Sequence, residues 1–148
     1  MSEAPQKLRV LILCTANSAR SQMAEGLLRH LAADRMEVFS AGTRATSVNP
    51  FAIQAMAERG IDISHHRSKH LNEFLGQPFD YVITVCDAAA ESCPIFPGKA
   101  ERVHWSFPDP AAVEGEAAKA EAFRNVRDGL EARFKAWLET LDGTAERS

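Results

Sequence analysis

The sequence predicts a single α/β domain, a four-stranded and mainly parallel sheet flanked by helices in three layers. Two short, almost wholly apolar runs, a helical stripe directly behind the first, and a long amphipathic segment at the end carry that expectation. Leu8 to Leu13 (LRVLIL) reads as a strand buried on both faces. Behind it, Met23, Ala24, Leu27, Leu28 and Leu31 share one face of a helix. Met36 to Ser40 forms a second strand, closed by Gly42. Asn49 and Pro50 supply a helix cap and a first helical residue, and Gly60 supplies a stop, so Phe51 to Arg59 is helical. Tyr81 to Cys86 (YVITVC) is a third strand, and Val103, Trp105 and Phe107 alternate in a fourth. Phe123, Val126, Leu130, Phe134, Trp137 and Leu141 line one stripe of the final helix. The domain spans 7–141, with frayed ends at 1–6 and 142–148.

Bulk properties narrow the function. The 148 residues are 45% hydrophobic and 25% charged, which suits one core. No run approaches the roughly 18 apolar residues of a membrane span, and no leader is recognisable, so a cytoplasmic protein is expected; a monomer is the expected assembly. Net charge is −3 and the pI about 5.9, with Lys and Arg scattered, which argues against nucleic acid or an anionic membrane as a partner. An anion bound here must be held by local geometry. Three cysteines, an odd number, do not make a disulfide scaffold. Neither they nor the five histidines have the spacing of a metal site, and no cofactor is implied.

Sheets of this kind bind ligands at the carboxyl ends of their strands. Cys14 ends the first strand, Cys86 the third, and Asp109 follows the fourth, so three reactive side chains reach one sheet edge. Between the first strand and the helix, Cys14 is followed by Thr15, Ala16, Asn17, Ser18, Ala19, Arg20 and Ser21. A loop of small residues at a helix start can aim unpaired backbone N–H groups at a tetrahedral anion. Arg20 adds a planar fork for two oxygens, and Ser18 and Ser21 offer hydroxyls. The same donors favour a thiolate, so Cys14 is expected to have a depressed pKa and to be nucleophilic.

In SFPDPA, Asp109 stands between prolines that fix its direction, and beside an anion it could serve as a proton donor. Cys86 and Cys93 are separated by six small or polar residues that favour a helix, with Pro94 following. Seven helical steps put their α-carbons roughly 10.5 Å apart, beyond the limit of about 7 Å for a disulfide. Joining them would require this segment to unwind, which makes the pair a redox switch rather than a staple.

These residues resemble a known family. LCTANSARSQMAEG, SAGT, VNPFAIQAM, ISHHRSKHL, VITVCDAAAESCP, HWSFPDPA and the closing helix are similar to the thioredoxin-coupled arsenate reductases with the low-molecular-weight phosphotyrosine phosphatase fold. Phosphatases of this fold share the first loop and the Asp-Pro but generally lack the Cys86/Cys93 pair. The resemblance implies that Cys14 attacks arsenate held by the loop and Arg20, while Asp109 protonates the leaving oxygen. It further implies that a Cys14–Cys86 disulfide forms as arsenite leaves, that Cys93 converts it to a Cys86–Cys93 disulfide, and that thioredoxin reduces the latter.

Two departures from the family pattern stand out. Ala16 replaces a glycine of many relatives, which is expected to strain the loop backbone. Lys69 replaces an aspartate that in some relatives helps bind a monovalent cation with Asn17, Glu25 and Ser40. The expectation is that the Lys69 ammonium partly replaces that ion. The competing readings are a phosphatase acting on phosphotyrosine or a similar ester, and a non-enzymatic oxyanion-binding or redox-sensing module.

Overall fold

The computed structural model describes residues 7–87, 96 and 100–147. Four strands, β1 (Leu8–Cys14), β2 (Met36–Gly42), β3 (Tyr81–Thr84) and β4 (Glu101–His104), form one sheet in the order β2-β1-β3-β4. Every pairing is parallel, with Leu11 opposite both Phe39 and Val82, and Val82 opposite Arg102. The expected α/β class with a four-stranded sheet is therefore what forms. The chain steps from β1 outward to β2 and then crosses back to β3 on the other side of β1. That reversal opens a crevice at the carboxyl ends of β1 and β3, the usual ligand position in such sheets.

Helices α1 (Arg20–Ala32), α2 (Pro50–Ala57) and α3 (Glu116–Arg147) pack against one another and the sheet. The stripes read from the sequence are the buried ones: Met23, Ala24, Leu27 and Leu28 on α1, and Phe123, Val126, Leu130 and Phe134 on α3. Removing each of the largest from water contributes on the order of 2 kcal/mol. Phe123 stacks on Phe51 of α2, ring centroids 5.6 Å apart, and Trp137 meets Tyr81 of β3 edge-on at 5.1 Å. Elsewhere on the sheet, Phe39 packs on Phe74, the last residue of a short 3-10 turn (Leu71–Phe74), and on Phe79 in the loop after it.

Boundaries differ from the sequence expectation where a neighbouring strand decides them. The third strand stops at Thr84 instead of Cys86, because its partner β1 ends at Cys14; Val85 N–H makes a last bond to Leu13 C=O. The fourth stops at His104, short of Trp105 and Phe107, because β3 no longer runs alongside. Those two residues still alternate inward, their N–H groups donating to Thr84 C=O and Val85 C=O. Helix α2 begins as expected, with the Asn49 side chain accepting from Phe51 N–H. It ends in a Schellman arrangement: Gly60, at φ +73, donates to Ala57 C=O, and Ile61 N–H donates to Met56 C=O. Helix α3 continues past the last residue of its apolar stripe to Arg147.

Candidate active site

Residues 15–19 join β1 to α1, and their carbonyls explain the loop's chemistry. Thr15 C=O accepts from Arg44 N–H at 2.9 Å and Thr43 Oγ1 at 3.3 Å. Ala16 C=O accepts from the hydroxyls of Thr46 and Ser68, each at 3.0 Å. Asn17 C=O accepts from Gln22 Nε2, and Ser18 C=O from Asn49 N–H at 2.9 Å. Four consecutive carbonyls are thus pulled outward, which turns the intervening peptide N–H groups toward the loop's interior. No side chain caps α1 and its first turn holds no acidic residue, so its positive end also serves that interior. Gly42, opposite Cys14 across the β1–β2 ladder, permits the close approach. A Cβ there would lie 2.5 Å from Thr15 C=O and 2.8 Å from Asn17 N.

The backbone strain expected at Ala16 is not found there. Among the described residues, Asn17 at φ +47 is the non-glycine residue in the left-handed region, a conformation asparagine tolerates better than most. Its fully buried side chain uses all its hydrogen-bonding capacity. Nδ2 donates to Ser21 Oγ at 2.8 Å and Ser40 Oγ at 3.0 Å, while Oδ1 accepts from Gln22 Nε2 at 2.9 Å and Lys69 N–H at 2.7 Å. Behind it, Ser40 donates to buried Glu25 at 2.6 Å. Lys69 Nζ lies 3.5 Å from Glu25 Oε1 and donates to Arg67 C=O, and His66 Nδ1 and Arg29 approach the other carboxylate oxygen. Burial holds the Lys69 ammonium below its usual pKa, and Glu25 pulls it back up. Among the described residues no group of three His, Cys, Asp or Glu is placed to hold a metal ion.

The loop opens into a cavity of about 280 Å³ lined by Cys14, Thr15, Ala16, Ser18, Ala19, Arg20, Arg44, Thr46, Asp109 and Ala111. Sequence reasoning anticipated seven of these residues, and the fold brings all seven to one place. Asn17 of the loop and Ser21 of the first turn of α1 bond each other through their side chains instead of lining the cavity. Arg20 is steered by a 3.0 Å bond from its guanidinium to Phe107 C=O. Asp109 caps a short 3-10 turn, Pro110–Ala112, accepting from Ala111 N–H at 3.0 Å, which fixes its carboxylate at the cavity wall. Arg44 and Thr46 were missed. They follow β2 directly, and the carboxyl-edge rule applied to that strand would have flagged them.

Cys14 and Cys86 are both buried, and their thiols are within hydrogen-bonding reach of each other. Thr15 Oγ1 touches the Cys86 sulfur at 3.3 Å. The Cys14 thiol is consequently raised above its ordinary range, against the expected depression. The hydrogen bond with Cys86 and burial raise it more than the Arg20 charge and the Thr15 amide lower it. Two sulfurs so close cannot both ionise, so the pair carries at most one charge at neutral pH. Asp87, next in the chain, binds His104 Nε2 at 2.9 Å, and His104 Nδ1 bonds Thr84 Oγ1 at 2.7 Å. Cys93, and most of the helical segment expected before it, lie outside the described residues.

Residues 9–147 match the low molecular weight phosphotyrosine protein phosphatase family. An arsenate reductase of Halalkalibacterium halodurans is 48% identical over 88% of this chain and 95% of its own. Among solved structures, an arsenate reductase in the phosphate binding state is similar with a TM-score of 0.73 and 31% identity, covering 90% of this chain and 98% of that one. A thioredoxin-dependent arsenate reductase of Corynebacterium glutamicum is similar with a TM-score of 0.68 and 31% identity over 93% of this chain and 65% of that one. The chain belongs to the low molecular weight phosphotyrosine protein phosphatase family and, within it, to the arsenate reductases.

Proposed function

We propose that this protein reduces arsenate to arsenite through a relay of three cysteines. One observation carries the reading: a second buried thiol, Cys86, is within hydrogen-bonding reach of Cys14, which lines the oxyanion cavity. Ester hydrolysis has no use for it, whereas a two-electron reduction requires it. Cys14 attacks arsenic while the loop amides and Arg20 hold the oxygens, and Asp109 supplies the proton with which one oxygen leaves as water. Cys86 then attacks the Cys14 sulfur. The S–S bond forms, the S–As bond breaks, and its electron pair stays on arsenic, which departs as arsenite. Cys93 attacks Cys86, freeing Cys14 and leaving a Cys86–Cys93 disulfide for a dithiol reductant.

The coupling of the two thiols orders these steps. Arg20 and the Thr15 amide are the influences that favour charge on Cys14, opposing Cys86 and burial, so they assist its ionisation as it attacks the bound oxyanion. Once Cys14 is bonded to arsenic its charge is gone, and Cys86 is free to ionise and attack. Thioredoxin is the electron donor proposed, supported by the thioredoxin-dependent relative, and the cytoplasm is the compartment in which such a relay is kept reduced. Among the described residues no helix is long and apolar enough to cross a membrane. The same cavity and Asp109 also suit ester hydrolysis, so a weak phosphatase activity is expected beside the main one.

The direct test is arsenate-dependent NADPH oxidation with thioredoxin and thioredoxin reductase. Sustained turnover is expected, and its absence alongside vigorous phosphate-ester hydrolysis would overturn the proposal. Oxidation to the Cys86–Cys93 disulfide should raise hydrogen exchange over residues 87 to 93, and unchanged protection there would refute the unwinding step.

The Lys69 ammonium, 3.5 Å from Glu25, takes the part of a cation behind the loop. Turnover in KCl and NaCl at equal ionic strength should therefore agree within about twofold, since an internal charge already compensates the carboxylate. A strong preference for potassium would count against that role.

A further inference from the structure

Every exposed guanidinium in this protein invites the question of what it pairs with. Arg59 meets Asp128 at 2.7 Å, Arg67 meets Glu73 at 2.6 Å, and Arg124 meets Glu58 at 3.1 Å. Arg44 is different. Its side chain has no hydrogen bond or ion pair among the described residues, although it lines the cavity above Cys14. Its root is nonetheless fixed: Arg44 N–H donates to Thr15 C=O at 2.9 Å, and Thr46 is tied on both sides, its N–H to Ser68 Oγ at 2.8 Å and its hydroxyl to Ala16 C=O at 3.0 Å. The chain thus anchors the backbone of 44–46 to the anion loop and leaves one long cationic side chain unspent at the loop's mouth.

We infer that Arg44 is a specificity-determining residue that captures the free, fully exposed oxyanion and disfavours its esters. An anion attacked by Cys14 presents three oxygens to the loop amides and Arg20, and its fourth oxygen points away from the sulfur. Cys14 is 3% exposed at the floor and Arg44 is exposed at the rim, so the fourth oxygen faces the rim, where Asp109 also stands. In a free oxyanion that oxygen is bare and accepts from a guanidinium. In an ester it carries carbon, which occupies the space Arg44 would use. Among the described residues, none of the ten lining the cavity is aromatic, so none of them offers an aryl ester a ring to pack on in compensation. The net charge of −3 repels anions at long range, which makes an unpaired cation at the entrance effective locally.

The inference rests on the reading of this cavity as that of an oxyanion reductase, and its test separates the two. Arg44→Gln and Arg44→Lys are compared with wild type in calorimetric titrations with inorganic phosphate, in arsenate turnover with thioredoxin, and in hydrolysis of para-nitrophenyl phosphate. Arg44→Gln should weaken phosphate binding and raise the KM for arsenate by about tenfold, the loss of one charge-assisted contact. The ratio of kcat/KM for arsenate to kcat/KM for the ester should fall by about tenfold with no rise in the KM for the ester, and Arg44→Lys should recover part of the loss. An unchanged phosphate affinity and arsenate KM overturns the inference, as does an ester KM that rises in parallel. Should wild type fail to reduce arsenate while Arg44→Gln still loses phosphate affinity, the reductase reading falls and the capture role of Arg44 stands.

Discussion

Cys14→Ser is expected to abolish arsenate reduction and ester hydrolysis together, each by about ten-thousand-fold or more. A serine hydroxyl is far less acidic than a thiol, and among the described residues no histidine lines the cavity to activate it. Nor can oxygen join a disulfide, so even a slow first attack could not be followed by reduction. The loss should be chemical and not structural. Cys14 lies at a strand end where serine is nearly isosteric, and the pull of Arg44, Thr43, Thr46, Ser68, Gln22 and Asn49 on the loop carbonyls does not involve its sulfur. Thermal unfolding within a few degrees of wild type, with phosphate binding retained in calorimetry, would confirm that the cavity survives. Reduction within about tenfold of wild type would remove Cys14 from the mechanism altogether.

Much of this site is legible in the sequence because its parts are local. LRVLIL followed by CTANSAR gives a buried strand, a turn of small residues and a helix start within 20 residues, and the fold realises each. The parts that escaped are those decided by distant residues. The thiol of Cys14 was expected to be acidic from Arg20 and the helix start alone; the opposing influence comes from Cys86, brought alongside by the pairing of β1 with β3. Arg44 and Thr46 sit among exposed polar residues with no periodicity, and only their attachment to the loop carbonyls gives them a role. The left-handed position fell on Asn17 and not Ala16 because Asn17 alone has the side chain to bind Ser21, Ser40, Gln22 and Lys69 at once. That choice also answers why alanine at position 16 carries no left-handed strain.

The second large effect separates a reductase from a hydrolase. Cys93→Ser should hydrolyse para-nitrophenyl phosphate at close to the wild-type rate, since that reaction ends when water releases phosphate from Cys14. With arsenate it should give a burst of about one arsenite per chain and then turn over at roughly one-hundredth of the wild-type rate or less, as expected when one member of a sequential relay is removed. The burst arises because Cys14 and Cys86, within hydrogen-bonding reach of each other, can complete one reduction unaided. It stops because their disulfide is buried at the cavity floor, where Cys14 is 3% and Cys86 5% exposed, beyond easy reach of a protein reductant. Cys86→Ser should lack even the burst, since nothing then displaces arsenic from Cys14. Mass spectrometry after one equivalent of arsenate should find a Cys14–Cys86 disulfide in the first variant and none in the second. Full steady-state reduction by Cys93→Ser would mean that thioredoxin attacks the inner disulfide directly, and the outward relay would have to be abandoned.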